Sequence, residues 1–408
     1  MLRHMAQPQD IVIVGGGLTG PALALALAQA GQSVTIIDSL PQTVRKNAGF
    51  DGRSYALALA SVRLLSGIGI WDSVAENAQP MLEIKVTDGR AGEGAAPFFL
   101  HFDHAEIEEG PMGHMLEDRY LRRAFLDAMK VHPAITQVTD TVVAQEADAK
   151  GVRLALASGK TLDARLLLGS DGRTSGTAQR AGISRTGWQY GQTALVAAIE
   201  HELPHHGIAH QFFMPPGPLA ILPLPDNVSS IVWSETAETA ARFAALSDAE
   251  FMEVLRPRFG DFLGDISLRG KRYTYPLGLS LANSFVAERV ALIGDAAHGL
   301  HPIAGQGLNA GLRDVGALAQ VISDATQRGE DFAAPNVLAR YQQWRRFDTT
   351  TLALTTDLTN RLFSNDNPFL RFARDLGMGA INKVPTLRRG FIREAAGLTG
   401  DLPDLMKG

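Results

Sequence analysis

Three glycine-bearing stretches hold the residues with chemistry to offer in this 408-residue chain. The first places Gly15, Gly17 and Gly20 in a Gly-x-Gly-x-x-Gly spacing, with Leu18 and Thr19 inside it and Asp38 further on. The apolar, β-branched run Ile11–Val14 precedes the glycines, and the Ala/Leu-rich run Pro21–Gln29 follows them, so strand, turn and helix are predicted in that order. Gly15 makes the tight turn, Gly17 lets a pyrophosphate reach the backbone, and Gly20 lets the helix pack closely on the strand. The helix N-terminus then offers unpaired N–H groups and a partial positive charge. A second strand, Val34–Ile37, closes on Asp38, 18 residues past Gly20, where a carboxylate can accept ribose hydroxyls. This spacing predicts a dinucleotide site without separating NAD from FAD.

The second stretch, LLLGSDGRTSG, ends a strand in Asp171-Gly172. By itself it reads more readily as a common Asp-Gly turn than as a site. The third runs from Arg289 to Val315. Its strand Val290–Ile293 stops at Gly294-Asp295, a Pro/Gly loop passes through Pro302, and a helix is expected from about Gly305-Gln306-Gly307. An aspartate at a strand's carboxyl end is placed to bind a polyol hydroxyl. A glycine-rich loop running into a helix start is placed to stabilise negative charge.

These stretches need a scaffold. A helix is predicted near Tyr55–Gly67 and another over Leu116–Met129. A meander is predicted over Val138–Val143, Val152–Ala157 and Leu162–Leu168. Residues 186–280 read as a sheet, with strands such as Ala194–Ile199, Leu219–Leu224 and Ser229–Trp233 and a helical insert near Asp248–Phe259. Residues 315–408 read as mainly helical.

Composition narrows the chemistry. The balance of 38 basic to 43 acidic residues, a net charge of −5, argues against nucleic acid as the main partner. The absence of cysteine excludes disulfides, thiolate nucleophiles, cysteine-ligated iron–sulfur clusters and cysteine zinc sites. Hard redox chemistry must ride on a bound organic cofactor or on a metal held by His and carboxylates. The histidines of HELPHHGIAH (His201, His205, His206, His210) read as a polar loop between strands, and no metal is expected. The first ten residues hold no apolar stretch of signal-peptide length, and no run of about 18 apolar residues predicts a membrane span. A cytoplasmic protein is expected, with attachment to the inner face of the membrane left open.

In this order and spacing, the three stretches resemble the FAD-dependent aromatic hydroxylases of the p-hydroxybenzoate hydroxylase fold. Within them the chain is most similar to the ubiquinone-biosynthesis hydroxylases. DGRSYALALAS (51–61), EDRYLRRAF (117–125), GPLAILPLP (217–225), HPIAGQGLNAGLRDV (301–315) and REAAGLTGDLP (393–403) also carry the likeness, which spans nearly the whole chain. The resemblance implies an α/β fold. In it a Rossmann-like FAD-binding domain (8–80, 105–185 and 275–330) interleaves with a β-sheet substrate domain (81–104 and 186–274), followed by a helical C-terminal region (331–408).

The resemblance further implies that Gly15, Gly17 and Asp38 hold the ADP half of FAD, with Leu18, Thr19, Gly20 and Val143 also binding the cofactor. Arg53 and Arg119 match arginines near the pyrophosphate and ribityl chain. Asp171 belongs to the Asp-Gly motif, and Gly294 and Asp295 to the ribityl site. Pro302, Gly305, Gly307, Leu308 and Asn309 match the loop and helix start along the isoalloxazine. Pro302, Gly305, Gln306 and Gly307 are the candidates for electrostatic support of the flavin, and no phenol-activating base stands out. The implied reaction transfers oxygen from a flavin C(4a)-hydroperoxide to the ring of a (polyprenyl) phenol, with dioxygen as co-substrate. The family's arginine three residues after Ser175 is Ala178 here, the nearest arginines being Arg173 and Arg180. Two electron sources follow, NAD(P)H or a separate electron-donor protein. The rivals are a same-fold hydroxylase of a soluble aromatic metabolite and a flavoprotein scaffold subunit of a quinone-biosynthesis complex. The stretch 361–394 carries seven Lys/Arg against three acids, with Leu and Phe interleaved. It is a candidate contact with an anionic membrane or a biosynthetic complex.

Overall fold

The computed structural model describes residues 9–46, 49, 52–90, 94–300, 305–363 and 384–408. The expected first unit forms as read: β1 (Gln9–Val14), α1 (Thr19–Gln29) and β2 (Val34–Asp38). Ile11, Val12 and Ile13 are fully buried, as a parallel strand covered on both faces requires. α1 is apolar on every side and buried from Gly20 to Ala28, because it lies between the sheet and the helix Gln306–Gln327.

The first sheet runs Val286–Ala287, Val290–Leu292, Thr161–Gly169, β1, β2, Ile135–Thr139, with the meander strands Val142–Ala147 and Val152–Leu156 joined to it through Thr161–Gly169. β1 pairs in parallel with both β2 and Thr161–Gly169, which in turn pairs in parallel with Val290–Leu292. All three glycine stretches therefore leave neighbouring parallel strands at their carboxyl ends, where open α/β sheets bind ligands.

The second sheet has eight strands, in the order His298–Gly299, Ile266–Ala282, Arg185–His201, Val228–Thr236, Gly217–Leu224, Ile208–Met214, Glu83–Arg90 and Gly94–Asp103. Only Ile208–Met214 with Glu83–Arg90 pairs in parallel. One face carries Leu195, Ala197, Leu219, Ile221 and Trp233, packed under the helices Ala237–Ala244 and Asp248–Phe259. On the other face Ala194, Val196 and Leu277 cluster with Tyr273, whose ring abuts Gly52. Farther along that face Ala198, Leu224 and Val228 pack on Ala56, Met115 and Met81, which belong to a small sheet of Ser54–Ala58, Gly113–Glu117 and Gln79–Met81. The segment 294–300 joins the first sheet to the second, since Ile293 follows a strand of the first sheet and His298–Gly299 is an edge strand of the second.

Three sequence expectations are corrected. The helix expected over Leu116–Met129 begins only at Asp118, because Leu116 and Glu117 end the strand Gly113–Glu117. The helix expected near Tyr55–Gly67 begins only at Leu59. Ser54–Ala58 is a strand paired with Gly113–Glu117, and the run of small and apolar residues there did not distinguish the two states. The strand expected over Val138–Val143 is broken at Asp140–Thr141 into Ile135–Thr139 and Val142–Ala147. Asp140 turns the chain there, its N–H bonding the carbonyl of Asp38 at 3.0 Å. Most of the described C-terminal residues are helical, in Pro335–Phe363 and Pro385–Ala395.

Candidate functional site

The turn after β1 is built against its neighbour. Gly15 has φ 111°, and a Cβ there would lie 2.2 Å from the carbonyl oxygen of Ser170. A Cβ on Gly20 would lie 2.0 Å from the carbonyl oxygen of Gly15, so the helix can seat this deeply only without one. Around Gly17 a Cβ would meet nothing within 4 Å. That open, exposed position faces outward at the start of a helix whose first turn holds no acidic residue and no side-chain cap. Leu18 is buried behind it.

Asp38 closes over this turn. Its Oδ2 accepts from Gly16 N–H at 2.5 Å and its Oδ1 from Leu40 N–H at 2.7 Å. Beneath it lies Arg45, 5% exposed, donating Nη1–H to the carbonyl of Gly16 at 3.3 Å. Its Nε is buried with no partner among the described residues. Burial lowers the pKa of this guanidinium, and Asp38 opposes the shift. An open glycine face, uncapped helix N–H groups and an orphaned buried donor fit a diphosphate, and a fixed carboxylate fits ribose hydroxyls. Arg45 escaped the sequence reading because it lies in a four-residue helix with no motif to mark it.

Thr19 is where the glycine stretches meet. Its Oγ1 lies 2.8 Å from Ser170 Oγ, and its side chain fills the space that a Cβ on Gly294 or Gly311 would need, at 3.1 and 2.7 Å. Asp171 is engaged locally. It accepts from Ser175 Oγ–H at 2.5 Å and from both N–H and Oγ1–H of Thr177 at 2.9 Å. The carboxylate thus caps the helix Gly176–Arg180, and the turn presents Ser170 and Arg173 to the site.

Gly294 has φ 57° and starts a short 3₁₀ turn containing Asp295. Below that turn lies a charged cluster shut off from water. Asp314, fully buried, accepts from Gly294 N–H at 2.9 Å, from His298 Nε2 at 2.6 Å and from Arg345 Nε–H at 2.8 Å. Burial pushes the Asp314 carboxyl up, but His298 and Arg345 outweigh it and its pKa ends below the ordinary value. Tyr341 donates its hydroxyl to the carbonyl of Leu292 at 2.8 Å, and burial raises its pKa. Asp295 is 43% exposed and pairs with Arg173 at 3.1 Å.

Gly305, with φ 64°, is the N-cap of the helix Gln306–Gln327. Gly307 is open as Gly17 is, with nothing within 4 Å of a built Cβ. Leu308 packs on the main core. Asn309 makes four bonds inside the protein. It accepts from Ala58 N–H at 2.9 Å and Ser61 Oγ–H at 2.8 Å, and donates to the carbonyls of Ala56 and Gly305 at 2.8 and 3.1 Å. Its side chain clamps the helix start to the Ser54–Ala58 strand. Pro302, with His301, lies outside the described residues.

Arg53 and Arg119 flank a second buried carboxylate. Asp118, 2% exposed, receives both Nε–H and Nη2–H of Arg122 at 2.9 Å, the hydroxyl of Tyr55 at 3.0 Å, and Arg53 at 3.4 Å. Burial first, then Asp118, raises the pKa of Tyr55. Arg119 turns to Glu117 at 2.5 Å and covers the ring of Tyr120. Val143 is 57% exposed on its strand, three residues after the Asp140 contact with β2.

Two further sequence features resolve as architecture. His205 and His206 lie in the expected loop, but His201 ends the strand Arg185–His201 and His210 stands on Ile208–Met214. His201 bonds the Leu203 carbonyl and Ser229 Oγ at 2.7 and 3.1 Å, and His205 the Leu224 carbonyl at 2.7 Å. In the basic stretch, Arg388 pairs with Glu106 at 2.7 Å and Arg393 with Glu109 at 2.6 Å. Residues 364–383 of that stretch lie outside the described residues. Among the described residues no helix is long and apolar enough to cross a membrane.

The family model described as "FAD binding domain" matches residues 9–352. The chain is similar to the ubiquinone hydroxylase UbiL of Rhodospirillum rubrum, 45% identical over 98% of this chain and 92% of the relative. It is 36% identical to the 3-demethoxyubiquinol 3-hydroxylase of Escherichia coli, over 96% of this chain and 99% of that one. The human mitochondrial ubiquinone biosynthesis monooxygenase COQ6 is 30% identical over 93% and 90%. Among solved structures, the p-nitrophenol 4-monooxygenase PnpA of Pseudomonas putida shares the fold, with a TM-score of 0.79 at 20% identity over 96% of this chain and 98% of that one. The chain belongs to the FAD-binding-domain family, among its FAD-dependent monooxygenases.

Proposed function

We propose that this protein hydroxylates the aromatic ring of a (polyprenyl) phenol on the route to ubiquinone. The observation that carries the reading is the convergence of three turns on Thr19, with Asp38 bound to the first turn and Asp295 next to Gly294 of the third, which suits a long dinucleotide. Relatives named for ubiquinone hydroxylation match over nearly the full chain and supply the substrate class.

FAD, when bound and reduced, supplies the activation of dioxygen. The residues of the chain supply position and environment. The open face at Gly17 admits the pyrophosphate, and Asp38 orients the adenosine ribose. Asp295 takes ribityl hydroxyls. The start of the Gln306–Gln327 helix, opened by Gly305 and bare at Gly307, would offer partial positive charge to a reduced flavin ring. Ala194, Val196, Leu277 and Tyr273 form an apolar cluster on the sheet face away from the helices and would keep water from the reacting ring. GPLAILPLP divides between the two faces. Leu219 and Ile221 belong under the helices, while Leu222 and Leu224 pack on the opposite side.

The electrons come from NAD(P)H or from a donor protein. Ala178 is buried and carries no charge, and Arg173, Arg180 and Arg185 are cations near the Asp-Gly turn. Among the described residues, a membrane or complex contact through 361–394 would use Arg389, Leu387 and Phe391, because Arg388 and Arg393 are already paired. A deletion strain tests the substrate class. It accumulates a quinone precursor lacking one ring hydroxyl, and oxygen uptake by the purified protein rises with that precursor. Unchanged quinones in the deletion strain contradict this reading.

A further inference from the structure

Arg173 is held by the two loops that approach each other at Asp295. Its Nε–H donates to Asp295 Oδ2 at 3.1 Å and its Nη2–H to the carbonyl of Leu300 at 3.3 Å. The side chain lies along Gly299, where a Cβ would meet Arg173 Cγ, Cδ and Nε at 3.2–3.3 Å. The base of Arg173 is fixed as well. Gly172 has φ 80°, and Asp171 locks the turn through Ser175 and Thr177. On the other side Arg185 donates to the backbone carbonyls of Asp295, at 3.1 Å, and of Ala296. The backbone of Asp295 is therefore set by Arg185, and its side-chain rotamer by Arg173. Asp295 Oδ1 has no hydrogen-bond partner among the described residues.

With both side chains more than 40% exposed, the pair adds little to folding. Its consequence is geometric. One carboxylate oxygen is occupied by a cation and the other is presented to a hydroxyl donor. We propose that Arg173 is a positioning residue for the ribityl chain of FAD, acting through Asp295. This rests on the flavin reading above and extends it to a residue outside the glycine and aspartate positions.

The test compares affinities for FAD and for ADP, a probe that lacks the ribityl chain and ring, in wild type, Arg173→Ala, Arg173→Lys and Asp295→Asn. Flavin fluorescence quenching and calorimetry report the two ligands on the cofactor-free protein. Arg173→Ala is expected to weaken FAD about tenfold, the scale of one charge-assisted hydrogen bond, and to leave ADP unchanged. Arg173→Lys recovers part of the loss. In the Asp295→Asn background, Arg173→Ala adds little. Equal affinity of Arg173→Ala and wild type for FAD overturns the assignment, and so does an equal loss for FAD and ADP, which marks a merely structural role. A wild-type protein that binds ADP but not FAD overturns the flavin reading itself, and the assignment with it.

Discussion

Asp314 is a costly charge to leave without its guanidinium, since it is fully buried and accepts from a backbone N–H, an imidazole and a guanidinium. Arg345→Met removes the cation and leaves the carboxylate facing His298 and Gly294. Breaking a buried pair from one side costs about 3–5 kcal/mol, and urea unfolding of the cofactor-free protein measures it. A loss under 1 kcal/mol is inconsistent with the cluster. His210 gives a pH signature. Its ring lies 4.4 Å from that of Phe262, and burial, joined by Lys85 and opposed by Glu83, lowers its pKa from 6.5 to about 4. The unfolded chain takes up the proton near pH 6.5 and the folded chain does not. Stability therefore falls as pH drops from 6.5 toward 4, by at most about 1.4 kcal/mol per unit from this group. His210→Gln flattens that fall, and denaturant midpoints at pH 7 and 5.5 show whether it does. At this scale Asp38 and Asp295 were legible because each sits at a strand end beside a glycine turn. Arg45, Arg173 and the Asp314–Arg345 pair were not, because their roles come from partners or surroundings that only the folded chain brings together.

At the scale of elements, the glycines divide into those that let backbone meet backbone and those that leave room for a ligand. Gly20→Ala drives a Cβ into the Gly15 carbonyl and should destabilise the fold by about 1–3 kcal/mol, as overpacking does. Gly17→Ala meets no protein atom, so its unfolding midpoint stays close to wild type. Its affinity for FAD falls about tenfold, equal to about 1.4 kcal/mol. Equal effects of the two substitutions on unfolding contradict the division. The βαβ unit was legible in the sequence because strand period, glycine spacing and helix composition agree there. The Ser54–Ala58 strand was not. Its pairing with Gly113–Glu117 is made about sixty residues away, and its small residues suit a helix equally well.

At the scale of the molecule, the segment 294–300 passes from one sheet to the other and carries Asp295 at the crossing, with His298 anchored below. The sequence showed two kinds of sheet, because buried parallel strands and an extended β-rich stretch differ in pattern. That the two sheets interleave along the chain was legible only through the family resemblance, and helices cover one face of the second sheet. They cover the side bearing Leu219 and Ile221, and the side bearing Val196 and Leu277 is the one the proposed function assigns to the ring. The most direct test of three turns gripping one flavin is the FAD content of the purified protein after excess FAD and gel filtration, read from its visible absorbance. One FAD per chain in the wild type, with a clear loss in Asp295→Ala, is the expected result. A colourless wild-type protein after the same treatment, or full flavin content in Asp295→Ala, contradicts it.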